Sequence, residues 1–215
     1  MRHIPRLVIA LVVVWIGIAF WQSRPIRHEP GVLVSNDPWQ EEMTPQDVGE
    51  VAGFRLTAVA AYRISGRVLG TKRYFSGEAA KLVPKDVALG WGKMSDQAVL
   101  DRLNLSMGSR FFFYEWQGTP PIAPAEIKNH ASNNHVIAAD RTVTRAISRL
   151  RRGEIVELEG WLVNAVGRGG FRWPTSLRRD DTGNGACELF YVRTVRTSAS
   201  NSPDAAPQGD VAAVR

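Results

Sequence analysis

The chain has 215 residues, 44% of them hydrophobic and 22% charged, with a formal net charge of +6 and one cysteine, Cys187. That length holds one domain with a real core, and the lone cysteine excludes an intramolecular disulfide and any zinc site built from cysteine pairs. The basic balance suits contact with phosphate, acidic glycan or lipid headgroups without choosing among them.

In chain order, the first element is an apolar run. From Leu7 to Trp21 every residue is apolar or glycine, with Arg2 and Arg6 before it and Arg24 and Arg27 after it. A helix of that length spans about 22 Å at about 1.5 Å per residue, short of a hydrocarbon core of about 30 Å; flanking arginines that snorkel narrow the gap. A cleaved signal peptide needs small residues at its end, and "IAFWQS" puts bulky Phe20 and Trp21 there. The pattern favours an uncleaved anchor with Trp21 at the interface. The expected division is a cytoplasmic tail at 1–6, a transmembrane anchor at 7–21, a proline-containing tether at 22–50, a globular domain at 51–196 and a disordered tail at 197–215. Pro25, Pro30, Pro38 and Pro45 give the tether its extended character. "GVLV" at 31–34 is a candidate edge strand.

Within the domain, "FRLTAVAAYRI" alternates with period two, placing Phe54, Leu56, Ala58, Ala60, Tyr62 and Ile64 on one face. "SGRVLG" and "KRYFSG" read as short strands with glycine turns. Ser95 is the candidate N-cap of a helix through Val99, Leu100 and Leu103. "SRFFFYEW" reads as an aromatic strand, and Pro124 as the opening of a short helix. After the extended "HVIAA", Asp140 caps a helix with Val143, Ile147 and Leu150 on one side, and Gly153 closes it. "EIVELEGWLVNAV" is a strand whose phase breaks at Gly160, the signature of a bulge or bend. Turns at "GRGG" and "DDTGNG" separate "FRWPTSL" from the strand "ACELFYVRTV". The sum is an α+β domain: a strongly bent antiparallel sheet, or a small OB-like β-barrel, with two to three short helices, preceded by one N-terminal transmembrane helix.

The stretches "LVPKDVALGWGKMSDQ", "NHASNNHVIAAD" and "RRDDTGNGACELFYV" resemble a set of bacterial proteins that carry an N-terminal membrane anchor and have no assigned activity. The resemblance covers most of residues 54–196. It implies a location and an architecture, and it transfers no catalytic role to any residue.

Candidate chemistry is sparse. His130 and His135 lie five apart, which separates them around a helix and sends them to opposite faces of a strand; the spacing matches no metal-ligand pattern. Cys187 is a candidate nucleophile only if His130 or His135 reaches it as a base; at the start of an apolar strand it reads equally as a small buried hydrophobe. "RRDDTGNG" lacks calcium-loop spacing, and "LGWGKMSD" lacks the Gly-Lys-Ser/Thr of a phosphate loop, Met94 following Lys93, so Trp91 reads as a core plug. No cofactor fingerprint is present. From Arg141 to Arg196 arginines exceed acidic residues by five. Arg168, Arg172, Arg178 and Arg179 stand near Phe171 and Trp173, giving Arg168, Arg172, Trp173, Arg178 and Arg179 as the candidate binding set. Arginine interleaved with aromatics suits single-stranded nucleic acid, acidic lipid or glycan; a solvated basic face is the plain alternative.

The expected role is that of a binding or structural domain held at the bacterial inner membrane by residues 7–21. The globular part would stand in the periplasm, facing a protein or an anionic envelope partner. Two alternatives remain. One is a hydrolase or transferase using Cys187 with His130 or His135. The other is a cytoplasm-facing OB-like nucleic-acid binder, which a periplasmic domain would exclude.

Overall fold

The computed structural model describes residues 8, 24–178 and 187–197. The anchor segment apart from Val8, Arg179 and the "DDTGNG" turn, and residues 198–215 lie outside them. Among the described residues no helix is long and apolar enough to cross a membrane.

The fold is mainly β-sheet with a few short helices, an α+β arrangement. Strand β1 (Trp39–Val51) is an edge strand paired antiparallel with β2 (Phe54–Arg73). Helix α1 (Glu78–Leu82) leads into β3 (Lys85–Gly90). A 3-10 turn (Gly92–Ser95) and α2 (Gln97–Leu100) follow, then the separate hairpin of β4 (Asn104–Gly108) and β5 (Phe111–Glu115). Helix α3 (Pro124–Asn129) precedes β6 (Ala131–Ala138). Helix α4 (Arg141–Arg149) precedes β7 (Ile155–Val166). A short β8 (Arg172–Trp173) and β9 (Glu188–Thr197) complete the chain. The main sheet runs β1-β2-β3-β6-β9-β7-β8, and β2 also pairs with β7. All of these pairs are antiparallel except β6–β9, which is parallel.

The even positions of β2 from Phe54 to Ile64 are buried, as the period-two pattern requires. The strand does not stop at "SGRVLG": it continues to Arg73 as one 20-residue element. A straight strand of that length would extend about 66 Å, and two register shifts bend it instead, at Ala58/Ala60 against β7 and at Val68/Gly70 against β3. It therefore pairs with β7 over its first part and with β3 over its last. Gly66 and Gly70 sit in this bent stretch, where a Cβ would come within 3.0 Å of Leu89 Cβ and 2.9 Å of Met107 Sδ respectively. Gly160 marks the expected irregularity. The register of β7 with β9 shifts between Glu159 and Gly160, and a Cβ on Gly160 would meet the Tyr191 carbonyl oxygen at 2.0 Å.

Two apolar clusters use opposite faces of β6 and β9: Val136 and Phe190 join one with Tyr62, Ile64, Val87 and Trp91, while Ile137 and Leu189 join the other with Phe54, Leu56 and Leu82. A third cluster, around Leu69, Met94 and Ile127, seats the β4–β5 hairpin through Met107, Phe112 and Tyr114. Trp91 is a core residue as read, and its Nε1 donates to Asp37 Oδ1 at 2.8 Å. Helix α4 begins as predicted, with Asp140 Oδ1 accepting from the Thr142 and Val143 amides. Its end differs from the prediction. The helix stops at Arg149, and its last carbonyls are held by a buried lysine, not by Gly153: Lys85 Nζ donates to Ile147 O at 2.8 Å and to Leu150 O at 3.2 Å. Burial pushes this ammonium down to about 8. The α2 cap also moves by one residue, to Asp96, whose carboxylate accepts from the Ala98 amide.

The expected tether is part of the domain. Residues 24–38 run as a strap across it. The Ile26 amide donates to Arg152 O at 2.8 Å, His28 Nε2 meets Gly153 O at 2.7 Å, and the Leu33 and Val34 amides donate to Ser95 Oγ. Val34 is buried in the core, and its carbonyl accepts from the Gly92 amide at 2.7 Å. Gly153, at φ +90°, exists for this crossing: a Cβ there would stand 1.9 Å from Ile26 O.

Candidate functional site: a polar cluster across β3 and β6

Short antiparallel strands β3 and β6 face Asp86 with His135. Both are buried, beside the apolar Val87, Leu89, Val136 and Ile137 and the buried polar Lys85, Ser132, Asn133 and Asn134 of the same two strands. Asp86 Oδ1 lies 2.9 Å from His135 Nδ1 and accepts from Arg110 Nη1 at 2.9 Å. A carboxylate oxygen only accepts, so Nδ1 carries the proton of the imidazole and Nε2 is the nitrogen left for other partners.

Arg110 arrives from the tip of the β4–β5 hairpin. Ser109 and Arg110 are the two central residues of this turn, both at positive φ (50° and 70°), the geometry that Asn-Gly usually supplies. Non-glycine residues held there cost energy. The turn is fixed from both sides: the Arg110 amide donates to the Tyr74 hydroxyl at 3.0 Å, and Asn133 Nδ2 donates to the Arg110 carbonyl at 2.8 Å. The guanidinium stacks on Tyr74, 3.7 Å from its ring centroid, and stands 5.6 Å from that of Trp173. Trp173 in turn lies 4.9 Å from the His135 ring. Burial, and then the Asp86 carboxylate, push the Tyr74 phenol above its ordinary value. Phe75, beside Tyr74, is 90% exposed.

Cys187 joins this cluster by its edge. Its Sγ is 3.6 Å from Asn133 Nδ2 and 3.8 Å from the Arg110 carbonyl. Among the described residues it makes no hydrogen bond to His135. A nucleophile–base pair works through such a contact. His130 is elsewhere. It ends helix α3, its Nδ1 bonding Glu126 O at 2.9 Å, and its ring packs on Trp91. Five residues of extended chain put it about 16 Å along the strand from His135. His130 therefore does not converge with His135 and Cys187. Among the described residues no three His, Cys, Asp or Glu side chains stand close enough to hold a metal ion.

Of the sequence-selected binding set, Trp173 stands in this cluster, against His135 and Arg110. Arg168 opens a 3-10 turn, Arg172 is exposed on β8, Arg178 is exposed beyond it, and Arg179 lies outside the described residues. No family model, curated protein or solved structure matches the chain. The site therefore rests on its own geometry. Asp86, Arg110, Tyr74 and Asn133 were not singled out from the sequence. The one usable signal was Asp86, an acid inside the apolar run "VPKDVALG".

Proposed function

We propose that this chain is a ligand-binding module built on a five-stranded OB-like barrel and held at the membrane by residues 7–21. The domain would stand outside the cytoplasm, and the cluster around Arg110 would take an acidic glycan of the cell envelope. The support for the barrel is the strand pairing. The order β2-β3-β6-β9-β7 returns to β2, with one parallel pair, β6–β9, and helix α4 between the third and fourth strands of that ring. OB folds bind oligonucleotides or oligosaccharides on the face of their second and third strands, between the loop joining strands one and two and the loop joining strands four and five.

The observation that carries the reading is where the polar cluster falls on that scheme. Asp86, Asn133 and His135 lie on the second and third strands of the ring. Tyr74 and Phe75 lie on the first of those loops, and Trp173 and Cys187 on the second. Aromatic faces stack on sugar rings as they do on bases, and a guanidinium pairs bidentately with carboxylate. The support for the anchor is the run Leu7–Trp21 bracketed by arginines.

The test uses the full chain in neutral detergent micelles and a galacturonate oligosaccharide as the acidic probe. Binding should quench tryptophan fluorescence. Arg110→Gln and Trp173→Leu should each weaken it about tenfold or more, the loss of one charge-assisted contact or one stacked ring. Equal affinity in wild type and Arg110→Gln would refute the assignment. Tighter, steeply salt-dependent binding of single-stranded oligothymidylate would favour the nucleic-acid alternative. A phosphatase fusion at the C-terminus reads the orientation separately.

A further inference from the structure

On another side of the domain, where the strap enters, Arg24, Ile26, Arg27, Arg67, Arg151 and Arg152 line a cavity of about 790 Å³, with Asp101 the one acidic residue on its wall. Five arginines thus face one carboxylate. Asp101 is already engaged, accepting from Arg27 Nη2 at 2.7 Å and from Gln97 Nε2 at 2.7 Å. Arg67 is buried. Its Nη1 donates to Ser95 O at 3.0 Å and its Nη2 to Gln97 Oε1 and Ile26 O, all neutral acceptors. Its Nε is buried with no hydrogen-bond partner among the described residues. Arg24 and Arg152 are exposed, and among the described residues no carboxylate pairs with either guanidinium. A buried guanidinium hydrogen-bonded only to neutral acceptors is costly; burial, Arg152 and Arg27 disfavour its charge, Asp101 and Asp96 offset only part of that, and an anion in the cavity would offset more.

The position of this cavity along the chain indicates which anion. Arg24 follows Trp21, the last apolar residue of the run, by three residues. Three residues of fully extended chain reach at most about 11 Å. With residues 7–21 in a bilayer, Arg24 stays within about 11 Å of the end of the apolar run, so the cavity mouth lies in or beside the headgroup layer. We propose that this cavity binds the phosphate headgroup of an anionic phospholipid, fixing the domain against the membrane that anchors it. The inference rests on the anchor proposed above. It does not depend on what the Arg110 cluster binds.

Full-length protein is reconstituted into nanodiscs of phosphatidylcholine alone or with one fifth phosphatidylglycerol, and backbone hydrogen exchange is followed by mass spectrometry. Phosphatidylglycerol should slow exchange in residues 24–28 and 149–154 while β3 and β6 stay unchanged. The double variant Arg24→Gln/Arg152→Gln, which alters two exposed side chains and leaves Arg67 in place, should abolish the slowing. At a membrane surface two such charges are together equivalent to about a thirtyfold change in affinity. Equal exchange in the two disc types, or slowing that survives the double variant, would overturn the site. Slowing by inorganic phosphate in phosphatidylcholine discs would make the ligand a soluble phosphate and overturn the lipid source. Failure of the chain to enter discs of either composition would refute the anchor, and the lipid site with it, and would be seen before any exchange is measured.

Discussion

Replacing Asp86 by asparagine changes one atom at the centre of the polar cluster, and its cost can be worked from the contacts. Asp86 is fully buried, and its Oδ1 receives both Arg110 Nη1 and His135 Nδ1. Hydrogen bonds to a charged group contribute about 1.5–3 kcal/mol and neutral ones about 0.5–1.5 kcal/mol, so neutralising the acceptor loses about 2 kcal/mol over the two bonds. The new amide places N–H donors in a site already supplied with donors, for a further cost of about 1–2 kcal/mol. Arg110 keeps its stack on Tyr74 and part of its exposure to water, which caps the loss. The total, about 3–4 kcal/mol, lowers the melting temperature by about 6–16 °C for a chain of this size. Near-ultraviolet circular dichroism melts of the full chain in neutral micelles read this directly. Arg110→Met and the double variant complete a cycle whose coupling should exceed about 1 kcal/mol. A melting temperature within about 2 °C of wild type for Asp86→Asn, or strict additivity in the cycle, would show that the cluster is no tighter than a surface ion pair and would refute the reasoning.

Lys85 and Gly153 give two further tests. The Lys85 ammonium titrates at about 8 in the folded chain, below its ordinary value of 10.5, because burial disfavours its charge. The unfolded chain holds more protons between those values, so this group's contribution to stability rises with pH from about 8 to about 10.5, by up to about 3 kcal/mol. The difference in unfolding free energy between wild type and Lys85→Met, taken at pH 7 and again at pH 10.5, should grow in favour of wild type; a flat difference would show that the ammonium is not desolvated. Gly153→Ala should cost at least about 2 kcal/mol, from a strained φ and the lost strap contacts. Hydrogen exchange should speed up through residues 26–34 and leave β6 unchanged; undisturbed exchange in the strap would mean that it does not depend on this crossing.

The parts of the fold legible in the sequence are those where one local rule acts alone. The even-numbered face of β2 follows from period two, the start of α4 from the Asp140 cap, and the shift at Gly160 from a broken phase. The misreadings come where a distant contact overrides the local signal. Pro38 and Pro45 argued for a free tether, yet β1 is an edge strand, where proline is tolerated. Its register shifts between Glu42 and Gln46, and Pro45 falls in that gap. Gly153 looked like a helix stop because glycine often is one, and nothing near it in sequence announces that Ile26, 127 positions earlier, crosses above it. The candidate site was harder still. Asp86 and His135 are 49 residues apart and Arg110 comes from a hairpin between them. Each sits in a segment whose pattern says only strand or turn, and their meeting is a property of the β3–β6 register.

The Arg110 turn departs from local rules at several positions at once. Glycine or asparagine at positions 109 and 110 would satisfy the positive φ values without strain, and apolar residues at 86 and 135 would suit the surrounding sheet without burying charge. Asn133 donates to the Arg110 backbone while its own Oδ1 stays buried without a hydrogen-bond partner among the described residues. Selection for stability alone would remove each of these features. All of them act to hold one guanidinium against Tyr74 and beside Trp173, on the face proposed above as the binding face. Strain and buried charge that converge on a single side chain are what the proposed binding role of Arg110 would require.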